Sequence, residues 1–303
     1  MRLVGQKGKS LRSRTAAASA AAVLAAALLA SGCSAEDGDT GRPGAQGAKG
    51  PAGSLADYSE QLRRAEDARL AAVRKWGLDK PPLLAPAPPA VKPRITNRKG
   101  FETDGGDSLP PVFTTVPTKE KIVFLTIDDG AEKDPQFLKM MQELRIPYSA
   151  FLSDYLVKDD HTYFRKMQSL GVTLNNHTLN HRYMPALSYD EQRHEICDQQ
   201  DKIGQWAGQR PRLFRPPYGN YNEDTLRAAQ SCGIQAAPLW AEEAFTDHME
   251  WREWDRDLHP GDIVLSHFRG RQDWNGTMAD MVRQVMKVIT DKGYAVARLE
   301  DYV

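Results

Sequence analysis

From residue 120 onward, short apolar runs alternate with amphipathic stretches, and that alternation limits the fold more than any other feature. Ile122–Ile127, Tyr148–Leu152, Val172–Leu174, Leu213–Phe214, Gln235–Trp240, Ile263–Leu265 and Tyr294–Leu299 read as seven strands. Helical stripes lie between them: Phe137, Met141 and Leu144; Phe164, Met167 and Leu170; Met278, Val282, Val285, Met286 and Ile289. Ser188 with Glu191 forms a capping box for a long helix towards Trp206, and Asn222 caps another that ends at Gly233. Strand–helix alternation implies a parallel sheet with helices outside. Seven repeats predict an α/β fold, a distorted (β/α) barrel of about seven parallel strands, with an open doubly wound sheet as the other option. In a barrel the chemistry sits where strands end and loops begin.

The chain ahead of residue 112 reads differently. Residues 1–32 carry five basic residues and no acid, then an apolar run over 16–30, then Ser31-Gly32-Cys33. This is the order of an export signal, and the run is shorter than the roughly 20 residues a membrane-spanning helix needs. Ala30-Ser31-Gly32-Cys33 resembles the bacterial lipoprotein cleavage box, which predicts a lipid on Cys33 and a protein held on the extracellular face of the cell membrane; plain secretion is the alternative. Residues 33–53 are a Gly-rich flexible tether. Residues 54–77 predict an amphipathic helix with Leu55, Tyr58, Leu62, Ala65, Ala72, Val73 and Trp76 on one stripe. It could pack on the domain, pair with a partner or extend a stalk. Residues 78–111 form a Pro-rich linker and lead-in, and the catalytic domain is expected over 112–303.

Charge and cysteine content exclude several classes. The 40 basic and 40 acidic residues balance; removing the five basic ones of the leader leaves 35 against 40. Such a mildly acidic chain has no electrostatic reason to bind nucleic acid. Three cysteines are too few for a disulfide scaffold or a thiolate-only zinc ribbon. With Cys33 taken by lipid, Cys197 and Cys232 could bridge in an oxidising compartment or stay as two buried thiols.

Unusual polar residues gather at strand ends. The first strand ends in Asp128-Asp129-Gly130, the third at His177-Thr178-Leu179-Asn180-His181, the fourth in Arg215-Pro216-Pro217-Tyr218-Gly219, the sixth in Leu265-Ser266-His267. Across one helical turn, His177 and His181 would share a face about 6 Å apart, a half-site for a divalent ion. A carboxylate would complete a three-ligand set with a position open. Gly130 lets the backbone turn so that both aspartates face the cleft, one on metal and one free as a base. Arg215 offers a permanently charged fork to hold a carboxylate ionised. His267 could deliver a proton near neutral pH. His161, His194, His248 and His259 read as surface residues. Trp251 and Trp254 read as core positions on a helix, and Trp274, in a polar loop just after His267, as one candidate platform for a ligand.

Taken together, these segments resemble the polysaccharide deacetylase family (carbohydrate esterase family 4, with its NodB-homology domain) over about residues 112–303. Thr126-Ile127-Asp128-Asp129-Gly130 is similar to the first motif, with Ile127 in place of phenylalanine. His177, Thr178 and His181 meet the second; Arg215, Pro217 and Tyr218 the third; Leu265 and His267 the fifth. The resemblance implies a metal-dependent hydrolase that removes N-acetyl groups from an acetylated amino-sugar polysaccharide. It implies Asp128 as general base, and Asp129, His177 and His181 as metal ligands. Arg215 would steer Asp128, the Tyr218 N–H would hold the oxyanion, and His267 would be the general acid. Pro217, Trp240 and Leu265 are expected to line the substrate pocket. Zinc suits the N/O ligand set, and cobalt, nickel or manganese occupy similar ones. One motif departs: after Trp240 the chain reads Ala241-Glu242-Glu243-Ala244-Phe245-Thr246-Asp247, so Glu243 or Asp247 would support His267. The expected partners are an acetylated glycan and, through Cys33, a membrane; a monomer is expected. Rival readings are an O-acetyl esterase acting on acetylated xylan, a catalytically inactive carbohydrate-binding homologue, and a metal-storage lipoprotein.

Overall fold

A computed structural model describes residues 55–303. The expected signal peptide (1–32), Cys33 and the expected tether (33–53) lie outside the described residues. In chain order the elements are α1 (Leu55–Trp76), β1 (Val112–Phe113), β2 (Ile122–Asp129), α2 (Pro135–Leu144), β3 (Ser149–Leu152), α3 (Asp154–Val157), α4 (His161–Ser169), β4 (Thr173–Asn176), α5 (Tyr189–Ala207), α6 (Glu223–Ser231), β5 (Ala237–Pro238), β6 (Glu242–Ala244), β7 (Met249–Trp251), β8 (Ile263–His267), α7 (Met278–Asp291) and β9 (Ala295–Val296).

β2 is the centre. All eight of its residues are buried, as a strand covered on both faces must be. It pairs in parallel with β3, β8 and β9. β3 continues to β4, and β8 to β6. Single bridges join Asn176 to Phe214 and Leu213 to Ala236. The segment that begins at Ala236 runs on to Ala241, whose N–H reaches Ile263 O, so the circuit of pairings returns to β8. The expected strand at Leu213–Phe214 thus survives only as bridges. Gln235–Trp240 shortens to Ala237–Pro238, paired with β1.

The sheet is mixed rather than all-parallel, because β7 runs antiparallel to β6. The sequence reading placed Trp251 and Trp254 in the core on a helix in this region. Trp251 instead ends β7, half-buried, and Trp254 is 92% exposed. Glu242 and Glu243 hid the hairpin, since two adjacent acids do not read as strand.

The five main helices fall where their stripes and caps place them. Ser188 and Glu191 make the capping box of α5, and Asn222 that of α6. Cys197 in α5 and Cys232 at the end of α6 form a disulfide with Cα atoms 5.0 Å apart. Trp274, half-buried, packs beside Phe245 against the core.

The segment before residue 112 is not a free stalk. Ala72, Val73 and Trp76 are buried in the main core, while Tyr58 and Leu62 on the same stripe are exposed. The Trp76 indole N–H donates to Glu143, and Arg283 Nε donates to Trp76 O at 2.7 Å. The Pro-rich stretch then follows the domain surface. Lys80 pairs with Asp291, Leu83 bridges to Ala295, and Lys92 Nζ donates to Glu300 O and Val303 O. Proline-rich chain is extended and has few donors of its own, so side chains and one bridge fasten it. Among the described residues, no helix is long and apolar enough to cross a membrane.

Candidate metal-binding active site

Register brings the strand ends together. Asp128 pairs with Phe151 on one side and His267 on the other, Asp129 with Leu152, and Leu152 with Asn176. At the end of β2 the backbone turns sharply: φ is +79° at Asp129 and +99° at Gly130. A Cβ at Gly130 would stand 2.5 Å from Val157 Cγ1, so only glycine fits. The turn swings both carboxylates to one side. His177 Nε2 lies 3.6 Å from Asp128 Oδ2 and 3.6 Å from Asp129 Oδ1; His181 Nε2 lies 3.5 Å from the same Asp129 oxygen.

The two histidines meet without a helical turn. Residues 177–181 form a loop with φ of +69° at Thr178 and +53° at His181. The Thr178 N–H donates to Asn176 Oδ1, and the His181 N–H to Thr178 Oγ1. Buried Glu195 on α5 accepts from both the backbone and side-chain N–H groups of Asn180. The ring centroids of His177 and His181 end 4.8 Å apart.

His177 Nδ1 is 2.7 Å from Arg215 O. A carbonyl only accepts, so Nδ1 carries the hydrogen and Nε2 offers its lone pair to the cleft. Burial pushes His177 and His181 each down to about 4, so both are neutral ligands at pH 7. Burial also pushes Asp129 up, but the surrounding histidines and Arg269 outweigh it and hold the group below its usual value. With His177 and His181 neutral, Arg269 is the fixed cation on that carboxylate. Asp129 Oδ1 is buried with no hydrogen-bond partner. One donor atom each from Asp129, His177 and His181 lies within 4.8 Å of the others. An orphaned carboxylate oxygen facing two imidazole lone pairs fits a divalent cation, and three protein ligands leave a position open.

Asp128 is held apart from that set. Its Oδ1 accepts from Arg215 Nη1 at 2.8 Å. Arg215 is fully buried, with further bonds to Thr126 Oγ1, Pro238 O and Leu239 O, and lies 4.3 Å from the Phe151 ring centroid. Burial raises Asp128 to about 6 against the pull of Arg215. Across the cleft, His267 Nδ1 is 3.2 Å from Glu243 Oε1. Burial alone would lower His267; Glu243, Asp128 and Asp129 together raise it. Glu243 is therefore the partner of His267. Asp247 is exposed and pairs with His248.

One cleft of about 330 Å³ gathers Asp128, Asp129, His177, His181, Tyr218 and His267, with Trp240, Glu243 and Leu265 in its wall. Arg215 sits behind it. Pro216 lines the cleft in place of the expected Pro217, which is turned inward as the first residue of a short turn over Pro217–Gly219. Arg269 is a lining residue that the sequence reading missed. It lies two residues after His267, just beyond the end of β8, where its N–H turns back to His267 O.

The architecture and site define a class: an α/β fold whose strand ends carry an Asp–His–His cluster suited to a divalent cation beside a second, arginine-held aspartate. The polysaccharide deacetylase family model matches residues 115–237. An uncharacterised protein of Streptomyces coelicolor is 38% identical over 218 residues, spanning 72% of this chain and 87% of that one. A peptidoglycan-N-acetylglucosamine deacetylase of Bacillus cereus is 28% identical over 193 residues, 59% of this chain and 86% of that one. A crystal structure of a mutant family 4 carbohydrate esterase pseudoenzyme from Bacillus anthracis with restored activity superposes with a TM-score of 0.54 at 22% identity, over 64% of this chain and 71% of that one. This chain belongs to the polysaccharide deacetylase family.

Proposed function

We propose that this protein is a divalent-metal-dependent hydrolase that removes N-acetyl groups from an amino-sugar polysaccharide of the cell envelope, releasing acetate and a free amine. One observation carries the reading: Asp129, His177 and His181 converge while Asp128, gripped by Arg215, and His267, paired with Glu243, face the same cleft. The fold alone does not carry it, because a pseudoenzyme shares that fold. The curated relative from Bacillus cereus supports peptidoglycan as the polymer.

A zinc-like ion held by Asp129, His177 and His181 would supply Lewis-acid polarisation of the acetyl carbonyl and lower the pKa of a water. The chain's own groups do the rest. Arg215 occupies Asp128 Oδ1, so Asp128 Oδ2 is left facing the cleft to accept the water proton. The turn at Pro217–Gly219 uses the N–H groups of Gly219 and Asn220 for its own bonds. The Tyr218 N–H is the donor assigned to the developing oxyanion; one such donor is typically worth about 3 kcal/mol. His267, kept protonated by Glu243, gives its proton to the departing amine. Trp240 and Leu265 form the wall against which the sugar lies.

The export reading places this chemistry outside the cytoplasm. A lipid on Cys33 would hold the protein at the outer face of the cell membrane. The Cys197–Cys232 disulfide supports an oxidising compartment. Mass spectrometry of the mature N-terminus tests the lipid: a diacylglyceryl adduct on Cys33 supports it, and cleavage without an adduct gives plain secretion. For activity, the metal-loaded chain is incubated with peptidoglycan, chitin oligomers and O-acetylated xylan. Acetate released with new free amines from the first two, abolished by chelation, supports the proposal. Release from xylan alone, or from none, overturns it.

A further inference from the structure

We infer that Arg269 is a positioning residue for the metal site: it holds one oxygen of Asp129, limits that carboxylate to a single ligand atom, and so keeps a coordination position open for water and substrate. The inference rests on the metal-dependent reading above.

The two oxygens of Asp129 have different surroundings. Oδ1 is buried, without a hydrogen-bond partner, and faces both imidazole Nε2 atoms. Oδ2 accepts from Arg269 Nη2 at 2.8 Å. A carboxylate with both oxygens free can chelate a cation through both. A catalytic site of three protein ligands works because a position stays vacant. Arginine suits the task because its charge persists across pH, so the bond is always in place.

The backbone delivers Arg269 to this position. The Phe268 N–H donates to Asp128 O, the Arg269 N–H to His267 O, and the Glu132 N–H to Phe268 O. These bonds stitch the end of β8 to the end of β2. Gly270 follows, with the end of the Glu132 side chain lying over it. The other terminal nitrogen, Nη1, lies 3.8 Å from Asp273 Oδ1, so the guanidinium is drawn between two carboxylates. Half-buried on the cleft wall, it is shielded enough to hold Asp129 and close enough to act on a bound ion.

Removing Arg269 acts on the metal in one direction by two routes. It deletes a cation near the ion, and it frees a second oxygen to chelate. Both tighten binding, and both reduce the open, electrophilic character that turnover needs. Arg269→Gln is therefore expected to bind Zn²⁺ more tightly, against the loss usual when an outer partner of a metal ligand is removed, while kcat falls about 10-fold or more. The cobalt-loaded variant should show a visible spectrum shifted from that of the parent, reporting a changed coordination number. Arg269→Lys, which retains the charge and can donate one hydrogen bond, should recover part of both properties. A mere brace for the loop would predict the opposite pairing, weaker Zn²⁺ binding together with lower kcat. That result, or no change in Zn²⁺ affinity in either variant, overturns the inference. If the unaltered chain binds neither Zn²⁺ nor Co²⁺, the metal-dependent reading falls and takes this inference with it; weaker binding confined to Arg269→Gln removes the inference alone.

Discussion

Asp128→Asn separates the proposed base from the metal ligands. Asparagine keeps the shape and one acceptor oxygen towards Arg215 Nη1, now 2.8 Å away, but it cannot take a proton from water. A positioned general base contributes roughly 10²–10⁴ in rate, so kcat should fall by that factor. Arg215 would lose its ionic partner and keep Thr126 Oγ1, Pro238 O and Leu239 O. Exchanging a charge-assisted bond for a neutral one in a buried site costs about 1–3 kcal/mol. In a domain of this size that lowers Tm by roughly 3–10 °C, which leaves the protein folded at 25 °C. Zinc content should be unchanged, because the clustered donor atoms belong to Asp129, His177 and His181. The assay is acetate release from peptidoglycan at 25 °C, with metal content and thermal unfolding measured on the same preparation. A rate within about threefold of the parent would refute Asp128 as base, and loss of bound zinc would refute the division of labour between the two aspartates.

Further predictions concern charge and covalent links. Glu243→Gln removes a carboxylate that helps raise His267; since the acid form is the working one, the falling limb of the pH–rate profile should move to lower pH, and an unmoved limb would argue against the pair. Glu242 is buried beside Asp262, and burial first, then that neighbouring charge, raise it from 4.5 to about 10. Between those values the folded state holds a proton that the unfolded state lacks, so stability falls as pH rises from about 4.5 to about 10. Glu242→Gln should flatten that decline and raise Tm by a few degrees at pH 8; an identical pH–Tm curve would count against it. Cys197→Ser opens a link between residues 35 apart in sequence, and should cost roughly 3–4 kcal/mol, read as a lower denaturation midpoint that reductant no longer shifts.

Much of the site was legible because strand ends announce themselves. Alternating apolar runs fix where each strand stops, and the polar residues just beyond, Asp128, Asp129, His177, Arg215 and His267, are those that the parallel register gathers. Local geometry was less legible. His177 and His181 share their spacing with a helical turn, yet they meet through a loop with left-handed residues, held by Asn176 and Glu195. Which of Glu243 and Asp247 supports His267 depends on the hairpin of β6 and β7, whose register no local pattern encodes. Pro216 and Pro217 are chemically alike, and only the direction of the turn tells which faces the cleft. Sequence alone leaves α1 open between packing on the domain, pairing and extending a stalk, because half of its stripe is exposed, and the Pro-rich stretch has the composition of a spacer. Arg269 was hidden as one arginine among many, because it lies past the end of β8 in a turn that no strand pattern reaches.

Six non-glycine residues among those described have a left-handed backbone; three of them, Asp129, His181 and Tyr218, line the cleft, and a fourth, Thr178, is buried in the loop that carries His181. A β-branched residue such as Thr178 is especially ill suited to that conformation. The tension sits in the loops, and the buried sheet beneath them resists its release. Replacing Thr178 with glycine would relax the loop and would also remove the hydroxyl that steadies His181. Gains in robustness are thus within reach of one substitution at the very place where they would blunt the catalyst, so attempts to harden this protein are better aimed at the disulfide-linked helices than at the mouth of the barrel.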